Sequence, residues 1–236
     1  MGELRQLGSL TCGHVGRDAT TLLVPLGSIE QHGPHLPLDT DIRIAEAVAR
    51  AAVSGLGAPF VLAPPIPYGA SGEHQGFAGT ISIGTPALTA LLVEYGRSAC
   101  EWAARLVFVN GHGGNLDALR AAVGLLRSEG RDAAWCSPAV ARGGDAHAGH
   151  TETSVLLHLS PHLVRTRECR PGNTAALADL MPQLRAGGVR AVSESGVLGD
   201  PTTATAADGA RLFAEMTGDC VDRVRRWRPQ PDGMLT

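Results

Sequence analysis

Apolar runs bounded by polar or glycine-rich stretches recur along the chain, and their period switches repeatedly between that of a strand and that of a helix. Residues 22–26 form an unbroken apolar run of strand length. Residues 42–52 repeat apolar positions at helical spacing, with Asp39 and Thr40 near the start. A second strand is predicted over 60–64, and the glycine-rich, polar stretch 68–84 predicts a loop. Over 86–104, Leu88, Leu91, Leu92, Tyr95, Ala99 and Trp102 share one helical face, with Pro86 in the first turn. Residues 105–110 predict a third strand and Gly111 to Gly114 a tight turn; Asn115 is then placed to cap a helix over 116–127. Further elements are a strand over 132–137, a helix over 151–159 ending before Pro161, a loop over 186–203 and a last helix over 204–226. The tail, 226–236, carries Pro229, Pro231 and Gly233 and is expected to be mobile. Strand–helix alternation of this kind predicts an α/β fold with a mostly parallel sheet and helices on both faces. The absence of repeats and low-complexity linkers favours one domain over 1–236.

Composition narrows the partners. Hydrophobic residues make up 44% of the chain, enough for a sizeable core, but aromatics only 4%, so aliphatic side chains must do most of the packing. No apolar stretch approaches the roughly 18–20 residues that a membrane helix needs, and the N-terminus lacks a signal-peptide pattern. Net charge is −3, and the arginines at 223, 225, 226 and 228 are expected on a solvated helix end. Neither nucleic acid nor membrane is therefore an expected partner. The five cysteines are odd in number and contain no C-x-x-C, which points to a reducing cytoplasm and buried thiols rather than a disulfide frame.

The chemistry concentrates in three passages: Glu30-Gln31-His32 with Asp41; Asn110-Gly111-His112-Gly113-Gly114-Asn115; and His147-Ala148-Gly149-His150-Thr151-Glu152. In a parallel sheet these share the carboxyl-end edge, where α/β folds build their sites. Imidazole and carboxylate without thiolate suit Zn²⁺, Mn²⁺ or Fe²⁺. Two such ions need a bridging carboxylate, and Asp41, at a helix start where the macrodipole favours an anion, is well placed to bridge. Glu30 and His32, two apart, point the same way in an extended segment and address different metals in a turn. Gly111, Gly113 and Gly114 permit close approach of backbone to a ligand. Glu73 and His74 lie in the loop expected to cover the site, in contact with substrate or a neighbouring subunit. His35 is expected either to brace its loop or to support a metal ligand from behind, and Asp39 to serve as a cap or turn residue. No G-x-S-x-G frames a serine nucleophile.

The segments G-S-I-E-Q-H-G-P-H-L-P-L-D-T-D, N-G-H-G-G-N and H-A-G-H-T-E-T-S resemble the creatininase/creatinine amidohydrolase family. The passage 68–84 is similar to the branch of that family that processes the mycofactocin precursor peptide. The resemblance implies a three-layer α/β/α sandwich, a homo-oligomer, and a dinuclear site that opens amide bonds, with Zn²⁺ accompanied by Fe²⁺ or Mn²⁺. It further implies Glu30, His32, Asp41 and His112 as ligands, with Asp41 bridging, and His147 as the group that handles substrate and protons. Creatinine-hydrolysing members place Tyr and a ligand Glu where Gly113 and Gly114 stand here. Glu152 is the expected replacement ligand, and creatinine itself becomes an unexpected substrate. The implied substrate is a peptide, cut before a crosslinked C-terminal Val-Tyr unit, with Glu73, His74, Gly113 and Gly114 contacting it. Two other readings compete: a dinuclear hydrolase of a small cyclic amide or formamide, and a non-catalytic protein that grips an anion at a helix N-terminus.

Overall fold

Every residue of β1 (Thr21–Leu26) is buried, so this strand has no solvent face and must lie inside a sheet covered on both sides. The computed structural model, which describes residues 4–16, 19–138, 140 and 144–236, places it there. With β2 (Phe60–Leu62), β3 (Arg105–Asn110) and β4 (Ala133–Cys136) it forms a parallel sheet in the order β2-β1-β3-β4. The helices are α1 (Thr40–Leu56), α2 (Gly84–Ala99), α3 (Leu116–Ser128), α4 (His150–Leu159), α5 (Leu177–Gly187) and α6 (Ala206–Arg226). Alternate strand residues serve opposite faces. Leu23, Val107, Val109 and Cys136 meet side chains of α1, α4 and α6. Leu22, Val24, Leu106, Phe108 and Trp135 meet those of α2 and α3. The result is the expected three-layer α/β/α sandwich.

Strand order decides where a site can form. From β1 the chain passes through α1 to β2 on one side; from β3 it passes through α3 to β4 on the other. The loops leaving the adjacent strands β1 and β3 therefore diverge and open a crevice at their carboxyl ends, the usual ligand position in open parallel sheets.

Several local expectations are corrected. Asn115 stands at the start of α3 but makes no side-chain cap. Its Oδ1 instead accepts from the Ala70 N–H (2.8 Å), and its Nδ2 donates to Gly27 O and to Asn110 Oδ1, each at 3.1 Å. It thereby ties three loops together at the sheet edge. α2 ends at Ala99 rather than at 104. α5 falls largely in a stretch to which the sequence pattern is assigned no element; Leu180 is its one buried residue, and Pro182 lies inside it.

The tail expected to be mobile is packed. Trp135 N–H donates to Gly233 O (3.0 Å) and Leu235 N–H to Trp135 O (2.8 Å), so the tail covers the free edge of β4. Its Pro and Gly residues serve a turn that returns the chain, closed by Gly233 N–H to Gln230 O (2.8 Å), and Leu235 is fully buried. Leu235→Ala is expected to cost about 3 kcal/mol, read from the shift in a denaturant unfolding midpoint; a shift near zero would mean that the tail does not hold this position in solution.

Candidate metal centre

Several elements place the acidic and imidazole groups at the sheet edge. β1 leads into Gly27, where an added Cβ would lie 2.6 Å from the backbone nitrogen of Ile42. The missing side chain lets α1 pass directly over the strand end, which brings Asp41 in its first turn beside Glu30 and His32 of the preceding loop. His112 follows β3, His147 the loop after β4, and Glu152 the first turn of α4.

These groups converge. The structure brings together three sets of donors, each within 4.8 Å of one another: Glu30, Asp41 and His112; His32, Asp41 and Glu152; and Glu30, His32 and His147. Asp41 divides its two oxygens between neighbours. Oδ1 lies 3.0 Å from His32 Nε2, and Oδ2 lies 3.4 Å from His112 Nδ1. Glu30 Oε2 is 3.1 Å from His112 Nδ1, and Glu152 Oε2 is 3.9 Å from His32 Nε2.

Backbone carbonyls set which nitrogen of each imidazole faces the carboxylates. His32 Nδ1 bonds Glu30 O (3.2 Å), His112 Nε2 bonds Ala70 O (3.3 Å) and His147 Nε2 bonds Gln31 O (2.8 Å). A carbonyl only accepts, so in each ring that nitrogen carries the proton. The opposite nitrogen faces the acids: that of His32 donates to Asp41 Oδ1 (3.0 Å), and once it gives up its proton it can offer a lone pair to a cation. The acids supply the complement. Both oxygens of Glu30 and Oδ2 of Asp41 are buried without a hydrogen bond. Neighbouring imidazoles lie within ion-pair distance of them but off hydrogen-bond alignment. Buried carboxylate oxygens left so are costly, and divalent cations would satisfy them. The residues present therefore fit a dinuclear site.

Electrostatics report the same crowding. Burial, reinforced by the charge of Asp41, pushes the Glu30 carboxyl up to about 7. Burial opposes charge on His32, but the Asp41 charge and hydrogen bond outweigh it and raise that imidazole to about 10. Against the same burial, Glu30 raises His112. Asp41 is lowered: burial opposes its charge, and His32 prevails. His147 is pulled down to about 3 by burial and by the charge of His32, and burial raises Glu152.

Two side chains join the cluster more closely than their sequence positions suggest. His74 is buried, with Nε2 3.3 Å from Glu30 Oε1 and Nδ1 accepting from Gln31 Nε2 at 2.8 Å. Gln31 belongs to the first passage, but its amide gives no sequence signal of this buried tie. Glu73 lies 3.4 Å from His112 Nε2. An added Cβ at Gly114 would lie 2.4 Å from that same His112 nitrogen and 2.5 Å from Glu73 Oε1, so the close approach requires glycine there. Ala148, fully buried at φ 51°, holds an unusual left-handed conformation that directs its N–H to Glu152 Oε2 (2.6 Å). His35 is set apart from the donors, its Nε2 bonded to Thr153 Oγ1 at 2.9 Å. Asp39 pairs with Arg43 (2.7 Å). A cavity of about 660 Å³ opens over the centre, lined by Asp41, Glu73, His74, His112, Gly113, Gly114, His147 and Glu152, and by residues of α5.

Comparison with known proteins agrees with this geometry. The family model for creatininase, creatinine amidohydrolase, matches residues 12–224. The chain is 66% identical over 239 residues to the mycofactocin precursor peptide peptidase of Mycobacterium tuberculosis, covering 98% of this chain and 95% of that protein. Among solved structures it resembles a manganese form of creatininase, with TM-score 0.79 and 25% identity over 97% of this chain and all of that one. A mutant creatininase of Zn-Zn type is likewise similar, with TM-score 0.78 and 26% identity over 97% of this chain and 100% of the other.

Proposed function

Because the chain belongs to the creatininase family, we propose that it is a metal-dependent peptidase that cleaves the modified mycofactocin precursor peptide and releases its crosslinked C-terminal Val-Tyr-derived unit. The observation that carries this reading is the 66% identity, across nearly the whole length of both chains, to a protein bearing that name. The carbonyl-tethered imidazoles and orphaned carboxylate oxygens support its metal dependence.

In this reading Glu30, Asp41 and His112 hold one cation, and His32, Asp41 and Glu152 the other, with Asp41 shared. When bound, the pair supplies a water acidified toward neutral pH and a polarised amide carbonyl. The chain's own residues position the peptide and move protons. Glu152 and His147, which both line the cavity beside the cations, are the groups through which a proton reaches the leaving amine. Gly113, where an added Cβ would meet nothing, leaves room for the peptide backbone beside His112, and Gly114, Glu73 and His74 border the same cavity.

We place Zn²⁺ with Fe²⁺ or Mn²⁺ at the two positions, on the shared preference of these donors. We further read the chain as one domain working as a homo-oligomer in the cytoplasm. All five cysteines are free, in keeping with a reducing compartment, and no helix among the described residues is long and apolar enough to cross a membrane.

The test is incubation of metal-loaded protein with the modified precursor, followed by mass spectrometry. Release of the C-terminal fragment is expected, and its absence would reject this substrate. Turnover of a creatinine-like lactam or a formamide without peptide cleavage would transfer the assignment to the small-amide reading.

A further inference from the structure

One wall of the cavity contributes nothing to metal binding. Leu177, Met181 and Leu184 of α5 line the same space as Asp41, His112, His147 and Glu152. They are spaced i, i+4, i+7, so they form one stripe on the helix. An apolar stripe normally faces a core, yet Leu180 is the one buried residue of α5 and Leu177 is 46% exposed. Large apolar side chains kept half open toward a reaction cavity mark a binding surface rather than a structural one.

The helix is also anchored to the site. α5 ends at Gly188, φ 69°, which lies so close to the loop carrying Glu73 and His74 that an added Cβ would be 2.6 Å from Glu73 O. Just beyond, Arg190 donates to Gly76 O (2.6 Å) and its guanidinium stacks over Phe77, 5.4 Å from the ring centre. These contacts fix the stripe relative to the acids and imidazoles, as a recognition surface requires.

We propose that Leu177, Met181 and Leu184 form a specificity wall that receives the apolar, aromatic–aliphatic side chains of the peptide unit next to the scissile amide. The proposal rests on the peptidase reading for the identity of that unit. Its physical basis is desolvation: apolar substrate surface laid on this stripe leaves water, whereas a charged side chain laid on it would lose hydration to three side chains that cannot pair with it.

The experiment has two arms, run on wild-type protein, Met181→Ser and Leu184→Asp, all metal-loaded and checked for equal metal content. In the first, kcat/KM is compared between the precursor peptide and a matched peptide with lysine in place of the apolar unit. Wild type is expected to favour the apolar unit, and each variant to lower that preference by about 10- to 100-fold, with Leu184→Asp improving the lysine peptide. In the second, calorimetry measures binding of the isolated apolar fragment, which is expected to weaken at least about 10-fold in each variant. Preference and fragment affinity both within twofold of wild type would overturn the wall. So would failure of wild type to bind the fragment. Absence of peptide cleavage by wild type would reject the peptidase reading instead, and the fragment arm would still decide the wall.

Discussion

Asp41→Asn is expected to abolish both metal sites together and to lower kcat/KM by about a thousandfold or more. The reason is the division of labour between its oxygens: one faces His32, the other His112. Asparagine keeps the size but removes the charge and turns one oxygen into an N–H₂ donor, which cannot ligate. Each of the other donors is committed mainly to one side. His32→Ala should therefore spare the set made by Glu30, Asp41 and His112, and retain close to one metal per chain, whereas Asp41→Asn should retain close to none. Elemental analysis after gel filtration reads the difference, with near-ultraviolet circular dichroism confirming that both variants are folded. Two bound ions in Asp41→Asn would show that the carboxylate does not bridge.

Chelation should produce the largest change in stability. A ligand at about a thousandfold excess over its dissociation constant stabilises the native state by about 4 kcal/mol, so two sites contribute about 8 kcal/mol. For a chain of this length that corresponds to a fall in Tm of about 15–30 °C on metal removal. The pH dependence has a definite sign. In the metal-free protein His32 is raised to about 10. Its contribution to stability is therefore fully present below its unfolded value near 6.5 and is lost as pH rises through about 10. Glu30, raised to about 7, imposes a cost that is absent below its unfolded value of about 4.5 and complete above about 7. Above about pH 7, where His35, His74 and His147, all held down by burial, are neutral folded and unfolded alike, metal-free stability should thus fall with rising pH. Metal binding requires neutral imidazole and ionised carboxylate, so it must expel these protons, and its increment should grow with pH. Thermal unfolding with and without chelator at pH 7, 8 and 9 measures both trends. A metal increment that shrinks as pH rises would contradict the assignment of His32 and Glu30 as donors.

Much of this centre is legible in the sequence, for a physical reason. Glu30, His32 and His112 sit within a few residues of apolar strand ends, Asp41 opens the helix that follows β1, and a parallel sheet brings strand ends and the starts of the following helices together. His74 was harder to place. Nothing local distinguishes a loop histidine that touches substrate from one buried against Glu30; the distinction arises only when the 68–84 loop folds back over β1. α5 carries Leu177, Leu180, Met181 and Leu184 at helical spacing, but the run is short and interrupted by Pro182, so the pattern gives a weak helix signal. The tail misled because Pro and Gly signal a turn as readily as disorder. Asn115 showed the residue type of a cap, but bonds to Ala70 and Gly27 from other loops claimed its side chain.

The central claim is that acids and imidazoles from distant segments close around two cations that share Asp41. Anomalous diffraction from crystals of the metal-loaded protein, collected at the absorption edges of zinc, iron and manganese, tests it most directly. Two peaks are expected on opposite sides of the Asp41 carboxylate, one within coordination distance of Glu30 and His112, the other of His32 and Glu152. Peaks elsewhere, or a single peak that leaves Asp41 Oδ2 and Glu30 untouched, would contradict it.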